Sequence, residues 1–250
     1  MRGGHLQTCF PTGRHYPGIA DLIAQAIRSV PGLCVEFEPG RQWTEVPFVV
    51  IDFETTGTNP EEDRILEIGA VGFDAGGRVT FKEGLLVDPG IPVPEEARAV
   101  HGITDEELEG APRFPEVLPK LIELLEGRLP VAYNASFDRS FLHAEVKRAA
   151  SALPGGELPP AMRDDVVWVD PLVWAREILK DQKSRKLGDV CSHFGIPLEQ
   201  AHRAAGDAEA TGRVLLALAP QMPAVYGELV RLQTRYAAFQ EAELTRWKRF

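Results

Sequence analysis

The sequence predicts an α/β domain built on a mixed five-stranded sheet, an antiparallel meander plus parallel strands flanked by helices. Three observations carry this expectation. Residues 47–87 hold three β-like runs separated by a loop and a tight turn, the pattern of a meander. From Leu129 onward, short apolar runs alternate with stretches of helical periodicity, as strands do with crossover helices. Finally, Phe48-Val49-Val50-Ile51-Asp52-Phe53 is a nearly unbroken run of β-branched and aromatic residues, which reads as a core strand buried on both faces.

The chain divides into an extension over residues 1–46, a main domain over 47–220 and a terminal helix within 221–250. In the extension, Ile19, Leu22, Ile23, Ala26 and Ile27 lie at helical spacing within Ile19 to Val30, Pro31-Gly32 stops that helix, and Leu33 to Phe37 is β-like. This segment is either an appendage packed on the main domain or an arm that binds a partner. The meander adds strands Arg64 to Phe73 and Val79 to Val87, joined by the turn residues Asp74-Ala75-Gly76-Gly77. Pro89, Pro92 and Pro94 then force an irregular crossing, and Pro94-Glu95-Glu96 opens a short helix, where a missing N–H costs nothing.

Thr104 and Glu107 have capping-box spacing for a further helical start. Phe114 to Glu126 is amphipathic and helical, and Leu129 to Tyr133 is a short apolar strand. Asn134-Ala135-Ser136 caps a helix over Phe137 to Ala150. Val166 to Val169 is the last strand, followed by helices over Pro171 to Leu179, Leu187 to Phe194 and Arg203 to Leu218. Beyond Pro220 and Pro223, Ala224 to Phe250 reads as one long helix with Val225, Leu229, Leu232, Tyr236 and Phe239 on one face. That helix either covers the main domain or offers a docking surface.

Composition narrows the function. With 44% hydrophobic and 26% charged residues the 250-residue chain is of ordinary soluble globular type. Cys9, Cys34 and Cys191 are odd in number and widely spaced, so neither a disulfide framework nor a zinc site is suggested, and reduced thiols in a cytoplasm fit best. No signal-like segment and no run of 18 apolar residues is present, so secretion and membrane spanning are not expected. The net charge of -10 is unusual for a protein that meets phosphates, unless basic residues cluster or cations supply the positive charge.

The acids supply the chemistry. Side chains two apart on a strand point the same way, so Asp52 and Glu54 stand together at the end of the core strand, where two like charges either call for a cation or splay into solvent. Asp138 falls in the first turn of a helix just after a strand, where α/β sheets gather functional groups. Asp207 lies five residues after His202, about 140° apart on one helix, so the two converge only if His202 sits in the entering loop and Asp207 on the first turns.

Asp52-Phe53-Glu54-Thr55-Thr56-Gly57, then Asn134-Ala135-Ser136-Phe137-Asp138, then His202 with four residues before Asp207, resemble the three motifs of the DEDDh exonucleases. These are the ribonuclease H-like enzymes that include the proofreading epsilon subunit of bacterial DNA polymerase III. Arg64-Ile65-Leu66-Glu67-Ile68-Gly69-Ala70 and Val100-His101-Gly102-Ile103-Thr104 are also similar to family patterns, and the resemblance covers about Pro47 to Pro220. Tyr133 departs from it, since histidine commonly precedes the asparagine.

The resemblance implies a ribonuclease H-like fold and a metal-dependent 3′-5′ exonuclease releasing nucleoside 5′-monophosphates from single-stranded or frayed DNA, in proofreading or repair. An exoribonuclease trimming RNA 3′ ends and a non-catalytic nucleic-acid-binding subunit are the alternatives. By the same resemblance Asp52, Glu54 and Asp207 hold one of two divalent cations, Mg²⁺ or Mn²⁺. Asp52 bridges to the second, Asp138 supports it, and His202 is the general base. Thr55, Thr56 and Gly57 are implied to meet the 3′ nucleotide, with His101 and Asn134 near the site; His101 alternatively makes a hydrogen bond that structures its loop. Arg203, Lys183, Arg185 and Lys186 either meet strand phosphates or, for Lys183 to Lys186, form a solvated charge run. A DNA polymerase subunit is a conceivable partner, and a membrane is not.

Overall fold

A computed structural model describes residues 31–153, 155, 157–198 and 203–247. Its centre is a sheet of strands β1 (Phe48–Thr55), β2 (Ile65–Phe73), β3 (Val79–Leu86) and β4 (Leu129–Val131), in the order β3-β2-β1-β4. β1 runs antiparallel to β2 and parallel to β4. The sheet thus has four strands rather than the expected five. Val166 to Val169 does run alongside β4, but it keeps one parallel bridge, Val131 to Val169, because Val167 donates instead to the Gly32 carbonyl. One bridge is too little pairing to count as a fifth strand.

The helices are α1 (Glu95–His101), α2 (Phe114–Leu125), α3 (Ala135–Arg148), α4 (Pro171–Ile178), α5 (Leu187–Phe194), α6 (Ala204–Leu218) and α7 (Tyr226–Trp247). α3 begins two residues earlier than expected. Asn134 takes φ 66°, a left-handed value that asparagine tolerates better than most residues, and this turns the chain straight from the strand into the helix. Two local expectations fail. Leu33 to Phe37 forms turns rather than a strand, with Phe37 N–H donating to the Cys34 carbonyl. Thr104 accepts the Glu107 N–H through its hydroxyl as a cap would, yet residues 105–110 close as successive turns, and the helix starts at Phe114. The helix expected over Ile19 to Val30 lies outside the described residues.

β1 is buried on both faces because its two faces meet different helices. Phe48 and Val50, with their cross-strand partners Phe73 and Val71, join the core formed with α4, α5, α6 and α7. Val49, Ile51 and Phe53 face the opposite core, with α2 and α3. The period of two then puts Asp52 and Glu54 on the α6 side, opposite Gly69 and Glu67 of β2. A register shift follows Glu54 at once and leaves Leu66 of β2 as the extra residue, so β2 bulges beside the end of β1 where the acids emerge.

Residues 31–46 and α7 close one flank together. Trp43 donates its indole N–H to the Pro223 carbonyl at 2.9 Å, Tyr226 N–H bonds to the Arg41 carbonyl, and Cys34 N–H bonds to the Tyr226 hydroxyl. Further along α7, Gln233 is 4% exposed. Its carbonyl accepts from Asp170 N–H and the Trp174 indole, while its amide donates to the Trp168 carbonyl. Among the described residues no helix is long and apolar enough to cross a membrane.

Candidate active site

The end of β1 and the first turn of α6 bring Asp52, Glu54 and Asp207 together. One carboxylate oxygen from each lies within 4.8 Å of the others, a spacing that a single cation can span. All three are partly buried. Without a cation the cluster carries too much negative charge for its surroundings. Burial, then Asp138, Glu54, Asp207 and Glu67, push the Asp52 carboxyl well above the usual carboxylate range. Glu54 is pushed up to about 7 by burial and by Asp207 and Glu67, with Arg203 pulling the other way. Oxygen-only donors with this excess charge fit a hard divalent cation.

Asp138 stands outside that three-carboxylate group but borders it. It is 3% exposed, and its Oδ1 accepts the Phe53 N–H at 3.0 Å, so it is pinned to the strand between Asp52 and Glu54. Burial raises its pKa, the Phe53 N–H and its own backbone N–H offset part of this, and Asp170 and Glu54 add to it. His202 lies outside the described residues.

The expected substrate residues are placed as follows. The Thr55 hydroxyl donates to the Gly57 carbonyl at 2.6 Å, and the Thr56 hydroxyl donates to Asp63 and accepts from Arg64 N–H. These hydroxyls therefore fasten the loop after β1. A Cβ at Gly57 would collide with the Asp63 carboxylate, so glycine is required for the loop to close this way. His101 is 7% exposed, accepts the Ile103 N–H on Nδ1, and is held toward its neutral form by burial. Asn134 N–H donates to Asp170 Oδ1 at 3.0 Å. Tyr133, the departure from the family pattern, donates its hydroxyl to the Arg185 carbonyl at 2.6 Å and so ties the basic loop after α4 to the site's edge.

Three residues not anticipated as functional hold this arrangement. Asp170 accepts from the N–H groups of Asn134, Ala135 and Leu172 and thus caps both α3 and α4 with one carboxylate. Glu67, 4% exposed, accepts the Arg203 guanidinium and the Ala204 N–H. Gly69 leaves room for the Ala204 backbone, which any Cβ would overlap. The one signal available for Glu67 was a lone acid in an otherwise apolar strand, since a buried charge needs a partner. Arg203, read as a phosphate ligand, spends its fork on Glu67 and on Glu107, at 3.0 and 2.9 Å.

A family model described as an exonuclease, RNase_T, matches residues 49–215. The chain belongs to this exonuclease family. The DNA polymerase III PolC-type protein of Clostridium perfringens (strain 13 / Type A) is 35% identical over 168 residues, which is 67% of this chain and 11% of that protein. The chain thus spans about a tenth of the length of that relative. Two solved structures share the fold: Exonuclease X in complex with 5′ overhanging duplex DNA, and the nuclease domain of 3′hExo, a DEDDh family member, bound to rAMP. The first has a TM-score of 0.56, 23% identity and coverage of 74% of this chain and 99% of that one. The second has a TM-score of 0.59, 19% identity and coverage of 72% and 95%.

Proposed function

We propose that the protein is a 3′-5′ exonuclease that removes nucleoside 5′-monophosphates from single-stranded or frayed DNA ends, in proofreading or repair. The observation that carries this reading is the convergence of the Asp52, Glu54 and Asp207 carboxylates at the end of the central strand, beside the bulge in β2. In this reading Asp52, Glu54 and Asp207 would hold a divalent cation, and Asp138, with Asp52, would help to hold a second. Mg²⁺ or Mn²⁺ held there would supply Lewis acidity to the attacking water and charge compensation to the leaving oxygen. His202 takes the proton from the attacking water, for which its near-neutral unperturbed pKa suits it. Asp138, by gripping the Phe53 N–H, keeps the acid-bearing strand end from shifting as charge develops.

The DNA preference is supported by the polymerase relative and by the DNA complex of Exonuclease X, and the rAMP complex keeps RNA as the second reading. A polymerase is a plausible physical partner on the same ground. We place the protein in the cytoplasm, with which the free buried thiols of Cys34 and Cys191 agree. Residues 47–220 form the catalytic unit, with 1–46 and 221–250 as its flanking parts. A gel assay of 5′-labelled single-stranded DNA and RNA with Mg²⁺, beside Asp52→Ala, tests the reading. Laddering from the 3′ end by the wild type alone is expected. Failure to shorten either strand, or an equally active variant, would sink it.

A further inference from the structure

The first turn of α6 is fastened to β2 by a fork that faces the carboxylate cluster. Glu67 Oε1 and Oε2 take the Arg203 Nε at 3.3 and 3.2 Å, Oε1 takes Nη2 at 3.0 Å, and Oε2 also takes the Ala204 N–H at 3.1 Å. The remaining arm of Arg203 reaches Glu107 at 2.9 Å. Arg203 thereby joins β2, the turns after α1 and the start of α6. Asp207 N–H donates to the Arg203 carbonyl at 3.2 Å, so the helical bond that sets the height of Asp207 begins on the residue that Glu67 grips. His202 is the chain neighbour of that same residue.

A buried acid placed opposite Glu54 is an expensive way to hold a helix. Glu67 faces Glu54 across the β1–β2 pair, so its negative charge lies next to the acids of the site. A fork also fixes direction where a single point charge would not. The cost and the geometry are both explained if the pair is there for precision at the site.

We propose that Glu67 and Arg203 are positioning residues for hydrolysis: their forked ion pair sets the height and direction of the first turn of α6, and with it the place of Asp207 among the carboxylates. This rests on the reading of Asp207 given above. Neither residue touches the reacting atoms in this assignment.

The test uses the full chain and the variants Glu67→Gln, Arg203→Ala, Arg203→Lys, Asp207→Asn and Lys82→Ala. The last breaks a second bridge to α6, Lys82 to Glu209, away from the first turn. Mn²⁺ affinity is measured by electron paramagnetic resonance, kcat and KM on a labelled oligonucleotide, and melting by circular dichroism. Glu67→Gln and Arg203→Ala should each weaken Mn²⁺ binding and lower kcat roughly 10- to 100-fold, with KM within about threefold. Combining them should cost little more than the worse single change. Arg203→Lys should fall between Arg203→Ala and wild type, and it carries the test if the alanine variant does not fold. Lys82→Ala should match wild type. If Glu67→Gln and Arg203→Lys change melting but neither Mn²⁺ affinity nor kcat, the pair only supports the fold and the proposal fails. A raised KM with unchanged kcat and Mn²⁺ affinity would assign Arg203 to strand phosphates and also overturn it. Silent positioning variants beside an inactive, metal-blind Asp207→Asn overturn this proposal alone. An Asp207→Asn variant with normal Mn²⁺ binding and turnover removes the underlying reading as well.

Discussion

Asp138 Oδ1 and the Phe53 N–H are joined by a 3.0 Å hydrogen bond that crosses from α3 to β1. A residue expected only at the metal site thus also closes the backbone between the two strand acids. The two roles separate by substitution. Asp138→Asn keeps an acceptor for Phe53 and should fold with nearly unchanged stability while losing most activity. Asp138→Ala leaves that buried N–H unsatisfied and should cost about 1–3 kcal/mol more, read from urea unfolding of the two variants side by side.

Glu54 gives the metal-free protein a pH dependence of definite sign. Its carboxyl titrates near 4.5 in the unfolded chain and at about 7 in the fold. The folded state therefore binds more protons between those values, and stability falls as pH rises through the window, with no further loss from this group above it. Asp52 and Asp138, also raised, act in the same direction. In chelator, melting temperature should drop from pH 5 to pH 7.5, and Glu54→Gln should flatten part of the slope. Added Mn²⁺ should stabilise most at the high end, where the carboxylates are ionised, and its removal should abolish hydrolysis.

Gly69 should not accept alanine. The added Cβ would overlap the Ala204 carbonyl, backbone that cannot swing aside. Overpacking of this kind costs about 1–3 kcal/mol. Because α6 carries Asp207, activity measured at 15 °C, where the variant is still folded, should fall by tenfold or more.

Asp170→Ala strips the cap from two helices at once and leaves the N–H groups of Asn134, Ala135 and Leu172 without their acceptor. A loss of about 2–4 kcal/mol is expected from calorimetric melting, the range for a hydrogen-bonded charge removed from a buried site. Asp170→Asn, which can still accept, should recover roughly half of it.

The basic loop after α4 offers an electrostatic test. If Lys183 and Lys186 meet strand phosphates, the slope of log affinity against log salt for a single-stranded oligonucleotide should shrink by about 0.7 for each alanine substitution. An unchanged slope would leave them as a solvated run. Tyr133→Phe frees the Arg185 carbonyl, and should weaken the same binding with a loss of about 0.5–1.5 kcal/mol in stability.

What could be read in the sequence was what depends on local period. Asp52 and Glu54 share a face because strands repeat every two residues, and Asp207 falls on an early helical turn. The supports of those acids escaped reading because each acts over a long chain separation: Glu67 with Ala204, Asp170 with Ala135, Gln233 with Trp168. Tertiary geometry decided the rest. Val166 to Val169 has strand composition, yet the competing acceptor at Gly32 leaves it a single bridge. Thr104 and Glu107 have the spacing of a cap, but the turns that follow reach Arg203 through Glu107 instead of winding into a helix.

Gln233 lies beyond residue 215, where the family match ends. Its side chain binds Asp170, and Asp170 caps the helix that carries Asp138. The portable unit of this fold is therefore larger than the segment it shares with its relatives. Grafting residues 49–215 onto another protein would leave the Asp170 N–H, the Trp168 carbonyl and the Trp174 indole exposed or unmatched. A working transplant would have to bring α7 along, or a host helix offering an amide at the same place.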